Sequence, residues 1–131
     1  MTPTASGPAA SIFLKKATWY FESAVANVEA GRFNPAVSDA VVSGINSSDV
    51  ICIAAGGSYA VTAGHSGALR QLERSGELGQ RAVPFLQALL PQKNLAQYRS
   101  TLNSRQEAND AVEAAEKLLE IAREAAASRK R

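Results

Sequence analysis

Apolar residues recur along this chain at three- and four-residue intervals, the period of an amphipathic helix, and no stretch alternates with the period of a strand. Phe13, Ala17, Tyr20, Ala24 and Val28 trace a first helix from an N-cap near Ser11 to a stop at Gly31. Within it Tyr20 is expected in the core, with Trp19 and Phe21 flanking the stripe and one of them facing a partner. Asn34 then caps a second helix, with Pro35 at its first position. Its stripe is Val37, Val41, Ile45, Ser48 and Cys52. Ala40, Ser43, Gly44, Ser47 and Ala54 keep that helix thin enough for a neighbour to approach closely, and Val50–Ala55 is apolar almost all round. This predicts the central, most buried helix, ended by Gly56-Gly57.

After a loop over Ser58–Ala63, His65-Ser66 opens a shorter helix through Leu69, Leu72 and Glu73, closed by Gly76. Gly79–Val83 is expected to connect onward, Pro84 to start the next helix and Pro91 to break it after Leu90. Lys93–Ser100 then forms a turn or two of helix. Asn103-Ser104 caps the last helix, where Ser104 and Glu107 match a capping box. Ala108, Val112, Ala115, Leu119 and Ala122 form its apolar stripe, opposite a solvent face of Glu113, Glu116, Lys117, Glu120, Arg123 and Glu124. The expected class is all-α: an up-and-down bundle of four to five helices, mostly antiparallel because the loops are short.

At 131 residues the chain makes one domain with a core of its own. Residues 1–10, rich in Thr, Pro, Ser, Gly and Ala, are expected to be a disordered leader; 11–127 form the bundle and 128–131 a basic tail. A net charge of +2 is too small to argue for nucleic acid by itself. No run approaches transmembrane length and no signal-peptide core is present, so a cytoplasmic location without membrane contact is expected. The lone Cys52 lies in an apolar run without a basic neighbour and reads as a small core residue. One histidine and one buried cysteine cannot furnish a zinc site, so neither metal nor cofactor is expected.

The segment Lys93-Asn94-Leu95-Ala96-Gln97-Tyr98 carries the chemistry. Helical spacing puts Asn94 with Tyr98 and Lys93 with Gln97, crowding a cation, amides and a phenol onto one short surface suited to phosphate or RNA. The bland alternative is a plain solvent face. Lys93, Arg99, Arg70 and Arg74 are the candidate nucleic-acid contacts, although arginines spread over a helix more commonly mark a solvated side. His65, the one histidine, is a candidate acid/base if the fold brings it near Lys93; as a helix-start residue it more commonly bonds the preceding loop or its own first turn.

Four elements in this order resemble the HEPN family of small helical domains: Ala-Thr-Trp-Tyr-Phe-Glu-Ser-Ala in the first helix, Gly31-Arg32-Phe33-Asn34-Pro35-Ala36, Gly64-His65-Ser66-Gly67, and Lys93-Asn94-Leu95-Ala96-Gln97-Tyr98 before a capped, alanine-rich helix. The resemblance covers roughly residues 11–125. It implies a homodimer in which two copies of an Arg-x4–6-His motif face each other and, in active members, cleave RNA without metal. It also implies a toxin–antitoxin or defence setting, in some cases beside a nucleotidyltransferase partner. Here Lys93 stands at the arginine position and Tyr98 at the histidine position, closer to the family's Arg-x-x-Ala-Asp-Tyr variant. The candidate catalytic set carried over is Lys93, Asn94 and Tyr98, with His65. A lysine still attracts phosphate as a point charge, but tyrosine, with an unperturbed pKa of about 10, is a weak base at neutral pH. The expectation is an RNA-acting or degenerate ribonuclease-like protein; the alternative is a non-catalytic module that dimerises and pairs with a nucleotidyltransferase, an antitoxin or another partner.

Overall fold

The computed structural model describes residues 7–56, 64–98 and 100–129. Six helices follow in order: α1 (Gly7–Glu29), α2 (Phe33–Ala54), α3 (Gly64–Glu73), α4 (Gly76–Leu89), α5 (Gln92–Tyr98) and α6 (Arg105–Arg129). There is no strand among the described residues. The all-α bundle read from the periodicity is what forms.

α2 is the centre of the bundle and packs against each of the other five helices. Its direction relative to them can be read from paired residues. The Ser43 hydroxyl donates to the Ala17 carbonyl at 2.7 Å and the Ser23 hydroxyl to Asp39 Oδ2 at 2.7 Å, so α1 and α2 are antiparallel. Asn27 Nδ2 reaches the same Asp39 oxygen at 3.0 Å and reinforces the pairing. Arg81 bonds Glu124 across α4 and α6, while Leu89 lies beside Ala111 and Ala114, so these two are antiparallel as well. α2 and α6 run parallel: Gly44 lies by Leu118 and Ile51 by Ala125.

The small residues of α2 act as expected. A Cβ added to Gly44 would stand 2.5 Å from Leu89 Cδ1 and 3.0 Å from Leu118 Cδ1, so a larger residue would have to push the tips of these two leucines aside where α4 and α6 close on α2. Val37, Val41, Ser48 and Cys52 are buried as the stripe predicted, and Ile45 is half-buried. α2 also corrects one reading: at 22 residues and mean hydropathy 1.2 it is long and apolar enough to span a bilayer. Its apolarity serves a different end here, because 72% of that stretch is buried inside the bundle. Burial pushes the Cys52 thiol up from its ordinary range, and the nearby Asp49 carboxylate adds to this. The thiol therefore stays protonated and packs as a hydrophobe, as its surroundings in the sequence suggested.

Helix ends show which local signals were sufficient. Gly31, at φ +76°, closes α1 in a Schellman motif, with Gly31 N–H on the Val28 carbonyl and Arg32 N–H on that of Asn27. At α6 the capping box is complete: Glu107 N–H donates to Ser104 Oγ at 3.1 Å, and Ser104 N–H donates to Glu107 Oε1 at 2.8 Å. These bonds from Ser104 hold the Glu107 carboxyl below its ordinary range.

Other boundaries differ. α1 begins at Gly7 rather than Ser11, and Ala10 is buried, so the unstructured leader cannot extend over 7–10. Pro8 is tolerated because first-turn N–H groups have no intrahelical partner. α6 continues to Arg129, through the start of the expected basic tail. Tyr20 is not in the core: Phe21 takes the inward position, and Trp19 and Tyr20 are exposed. The inward stripe is Ala10, Leu14, Ala17, Phe21, Ala24 and Val28, one residue round from the expected centre. Gly79–Val83 is helix, and Pro84 sits inside α4 instead of starting it. Gly79 is required there because a Cβ would fall 2.1 Å from the Leu72 carbonyl oxygen, which is how closely α3 and α4 meet. Pro84 leaves the Gln80 carbonyl without its usual donor, a loss eased because both residues are exposed. The expected loop over Ser58–Ala63 lies outside the described residues.

Candidate functional site

Pro91 follows the end of α4, and Lys93 N–H bonds the Leu90 carbonyl at 3.2 Å, turning the chain into α5. This helix has only seven residues, too few to be stable alone in water. Ala96 is buried and Leu95 half-buried against the bundle. Lys93, Asn94 and Tyr98 point outward and are exposed, Tyr98 at 78% of its surface.

The anchor of α5 is Asn34, which sequence reasoning had assigned to a cap. Arg32 is the actual N-cap of α2, and its side chain makes no cap hydrogen bond. Asn34 lies in the first turn and its amide is used across the bundle. Nδ2 donates to the Ala96 carbonyl at 3.0 Å and to that of Thr101 at 3.4 Å, while Oδ1 accepts from Asn103 N–H at 2.8 Å. One side chain thus ties α5, the following turn and the approach to α6 to the start of α2. A second tie is the Arg105 guanidinium, 4.9 Å from the centroid of the Phe33 ring.

The result is an end of the molecule where cations gather, with the acidic Glu29, Glu107 and Asp110 at the adjoining helix ends. Arg32, Lys93 and Arg105 are all exposed there. The parallel helices α2 and α6 turn their N-termini, the positive ends of their dipoles, toward the same side. Among the described residues Lys93 forms no ion pair, since the one described pair is Arg81 with Glu124 at 3.4 Å. Four residues after Tyr98, Leu102 is 89% exposed, so this stretch of chain carries protruding apolar groups as well as cations. Arg32, Arg105 and Leu102 were not among the candidates. The available signal was Gly31-Arg32-Phe33-Asn34-Pro35, whose asparagine marks the turn that draws these residues to α5.

The remaining candidates lie elsewhere. His65 is in the first turn of α3, and its side chain lies outside the described residues. α3 packs on α2 and α4 but not on α5, so a single protomer does not set α3 beside Lys93. Arg70 and Arg74, both exposed, belong to α3 and the turn after it, where the chain nears the C-terminal end of α2; α5 is at the N-terminal end. Arg99 lies outside the described residues. The arrangement can hold a phosphate with Lys93, Arg32 or Arg105 and offer Asn94 and Tyr98 as further partners. A group that titrates near neutrality is not found beside them among the described side chains.

A small all-helical bundle with a polar, basic turn before a capped final helix defines the class. The model of the HEPN domain matches residues 10–125, which takes in α1 almost from its start through most of α6. The chain belongs to the HEPN domain family. No curated protein and no solved structure matches it.

Proposed function

We propose that this HEPN-domain protein acts on RNA in a toxin–antitoxin or defence type system, as a cytoplasmic homodimer that grips RNA at the α5 end and does not cleave it efficiently. The observation that carries the reading is the exposed set Lys93, Asn94 and Tyr98 on α5, joined by Arg32 and Arg105. Cations that neutralise phosphates release counterions and supply affinity without regard to sequence. An exposed tyrosine adds a face on which a base can stack. Metal-free cleavage further needs a group that takes the 2′-hydroxyl proton near neutral pH, and tyrosine is poorly matched to that task.

Fluorescence anisotropy with a labelled single-stranded RNA of mixed sequence tests the reading. Binding should weaken as salt rises, Lys93→Ala should weaken it further, and a gel of the same mixture should show intact RNA. Salt-independent binding, or affinity indifferent to Lys93→Ala, Arg105→Ala and Tyr98→Ala together, would overturn it. RNA cleavage abolished by His65→Ala would restore the catalytic set with His65 in it.

A second reading is a non-catalytic module that pairs with a nucleotidyltransferase or an antitoxin. Tyr98 and Leu102, two large apolar side chains left in solvent four residues apart in the chain, favour it. Co-expression with the neighbouring gene product should then give a stable complex that Leu102→Asp disrupts; separate elution of the two proteins would count against it.

A further inference from the structure

On α1, Trp19 and Tyr20 are left outside the core, with 60% and 40% of their surfaces in solvent. With Lys16 and Ser23 of the same helix, and Val42 and Asn46 of α2, they line a groove of about 550 Å³. That volume suits a ligand the size of a nucleotide, and an aromatic lining with a few polar groups is what such sites have. None of these residues belongs to the α5 surface.

Charge is spread unevenly along the groove. Lys15 and Lys16, both exposed, lie one helical turn before Trp19 and Tyr20 and share their face. Lys16 Nζ is 5.7 Å from the centroid of the Phe13 ring and forms no ion pair among the described residues. The exposed Glu22 and half-buried Asp39 stand toward the other end, where Asp39 Oδ2 accepts from Ser23 Oγ at 2.7 Å and Asn27 Nδ2 at 3.0 Å. Between the two ends the lining is neutral: two aromatic rings, Val42 and the Asn46 amide. Asn46 Nδ2 donates to the Val42 carbonyl at 2.8 Å, which leaves the amide oxygen as an acceptor.

An acidic peptide laid along this groove would meet repulsion at the carboxylate end. A nucleotide carries its charge at one end and a neutral, stackable ring at the other, the order in which Lys16, Trp19 and Asn46 offer partners. We infer that the groove between α1 and α2 holds one unpaired base of a single-stranded RNA, stacked on Trp19 with its phosphate against Lys16. Every base has a π-face, so such stacking holds without regard to sequence. The inference rests on the RNA-binding reading above and gives the strand a second anchor. Pro35, Ser38, Val42 and Asn46 fall on one face of α2 and none of them is buried, so this face runs uncovered from the turn that holds α5 to the groove. Pro35 to Asn46 spans about 16 Å at 1.5 Å of rise per residue, within reach of a few nucleotides.

Trp19 is the one tryptophan of the chain, so its fluorescence reports on the groove directly. In the free protein acrylamide should quench it. A single-stranded oligoadenylate of about ten nucleotides should quench it saturably, whereas an abasic oligomer of the same length should bind without doing so. In anisotropy with the labelled oligoadenylate, Trp19→Ala should weaken binding about tenfold, and Trp19→Phe, which keeps a ring, should recover most of the loss. Lys16→Ala should weaken it about threefold and lower the salt slope by about one. Trp19 and Lys16 are exposed, so the variants should fold, which circular dichroism checks. RNA that binds without altering the emission, equal quenching by the abasic oligomer, affinity indifferent to Trp19→Ala, or a Trp19 already shielded from acrylamide would overturn the inference. So would emission that a glutamate-rich peptide alters and RNA does not, which would assign the groove to a protein partner. Binding that needs Lys93 but not Trp19 sinks the groove alone; binding that needs Trp19 but none of Lys93, Arg105 and Tyr98 sinks the α5 reading alone.

Discussion

Around Gly44 in α2 one added carbon would press on the tips of Leu89 and Leu118, whereas on α5 three polar side chains stand in solvent and Ala96 alone is buried among the described side chains. The first region is specified by shape and offers no chemistry. The second offers cations, an amide and a phenol, and owes little of its position to the side chains that carry them. What holds α5 is borrowed from elsewhere: two carbonyls and one N–H satisfied by Asn34, plus a guanidinium lying over Phe33. Because the anchor and the chemistry reside on different residues, stability and binding should respond to different substitutions.

The largest test of that separation is Leu89→Ala. Leu89 is fully buried, and its loss leaves a cavity between α4 and α2 that should cost about 3 kcal/mol in urea denaturation, with RNA affinity of the folded protein unchanged. Gly79→Ala comes next. The added methyl would meet the Leu72 carbonyl, and net destabilisation of about 2 kcal/mol is expected after the gain in helix propensity is set against overpacking. Asn34→Ala is the one change expected to act on both regions. It strands Asn103 N–H and two carbonyls, should cost about 2 kcal/mol, and should speed hydrogen exchange across α5 ahead of the rest of the chain. Uniform exchange in that variant would show that α5 does not depend on Asn34.

Smaller effects sharpen the contrast. Ser104→Ala removes a cap on α6 and should cost about 1 kcal/mol. Lys93→Ala should leave the denaturation midpoint where it is and reduce RNA affinity about fivefold, lowering the slope of log affinity on log salt by about one. The smallest effect is a dependence on acid. Glu107 titrates below its ordinary range when folded, so its stabilising share is fully present above the ordinary glutamate value of the unfolded chain. That share is lost as pH falls through the lower folded value, and Glu107→Gln should flatten this part of a stability–pH curve.

Which expectations survived depended on how local their cause was. Gly31, Ser104 with Glu107, and Pro91 each act within a few residues, so their positions in the chain were enough to place the ends of α1, α6 and α4. Tyr20 and Phe21 are adjacent and both aromatic, and periodicity could not choose between them; the direction from which α2 and α6 approach α1 chose Phe21. Gly79 and Pro84 looked like a connection and a fresh start because both disfavour helix interiors. The close meeting of α3 with α4 and the exposure of Pro84 outweighed that preference. Asn34 looked like a cap because an asparagine before proline commonly is one, and nothing local announced partners sixty or more positions away.

The residues of α5 were legible as chemistry because their types and spacing are local facts. Their company was not. Arg32, Arg105 and Leu102 join Lys93 only because α2 and α6 run parallel and begin at the same end of the bundle, and α3 and the turn after it carry Arg70 and Arg74 elsewhere for the same topological reason. The sequence by itself determined helices, most of their ends and the thin, buried character of α2, since these follow from backbone preferences and a repeating apolar pattern. Only the tertiary structure decided which aromatic turns inward, which asparagine anchors α5 and which cations share a surface. Those outcomes rest on contacts between segments far apart in the chain, for which spacing along one helix holds no information.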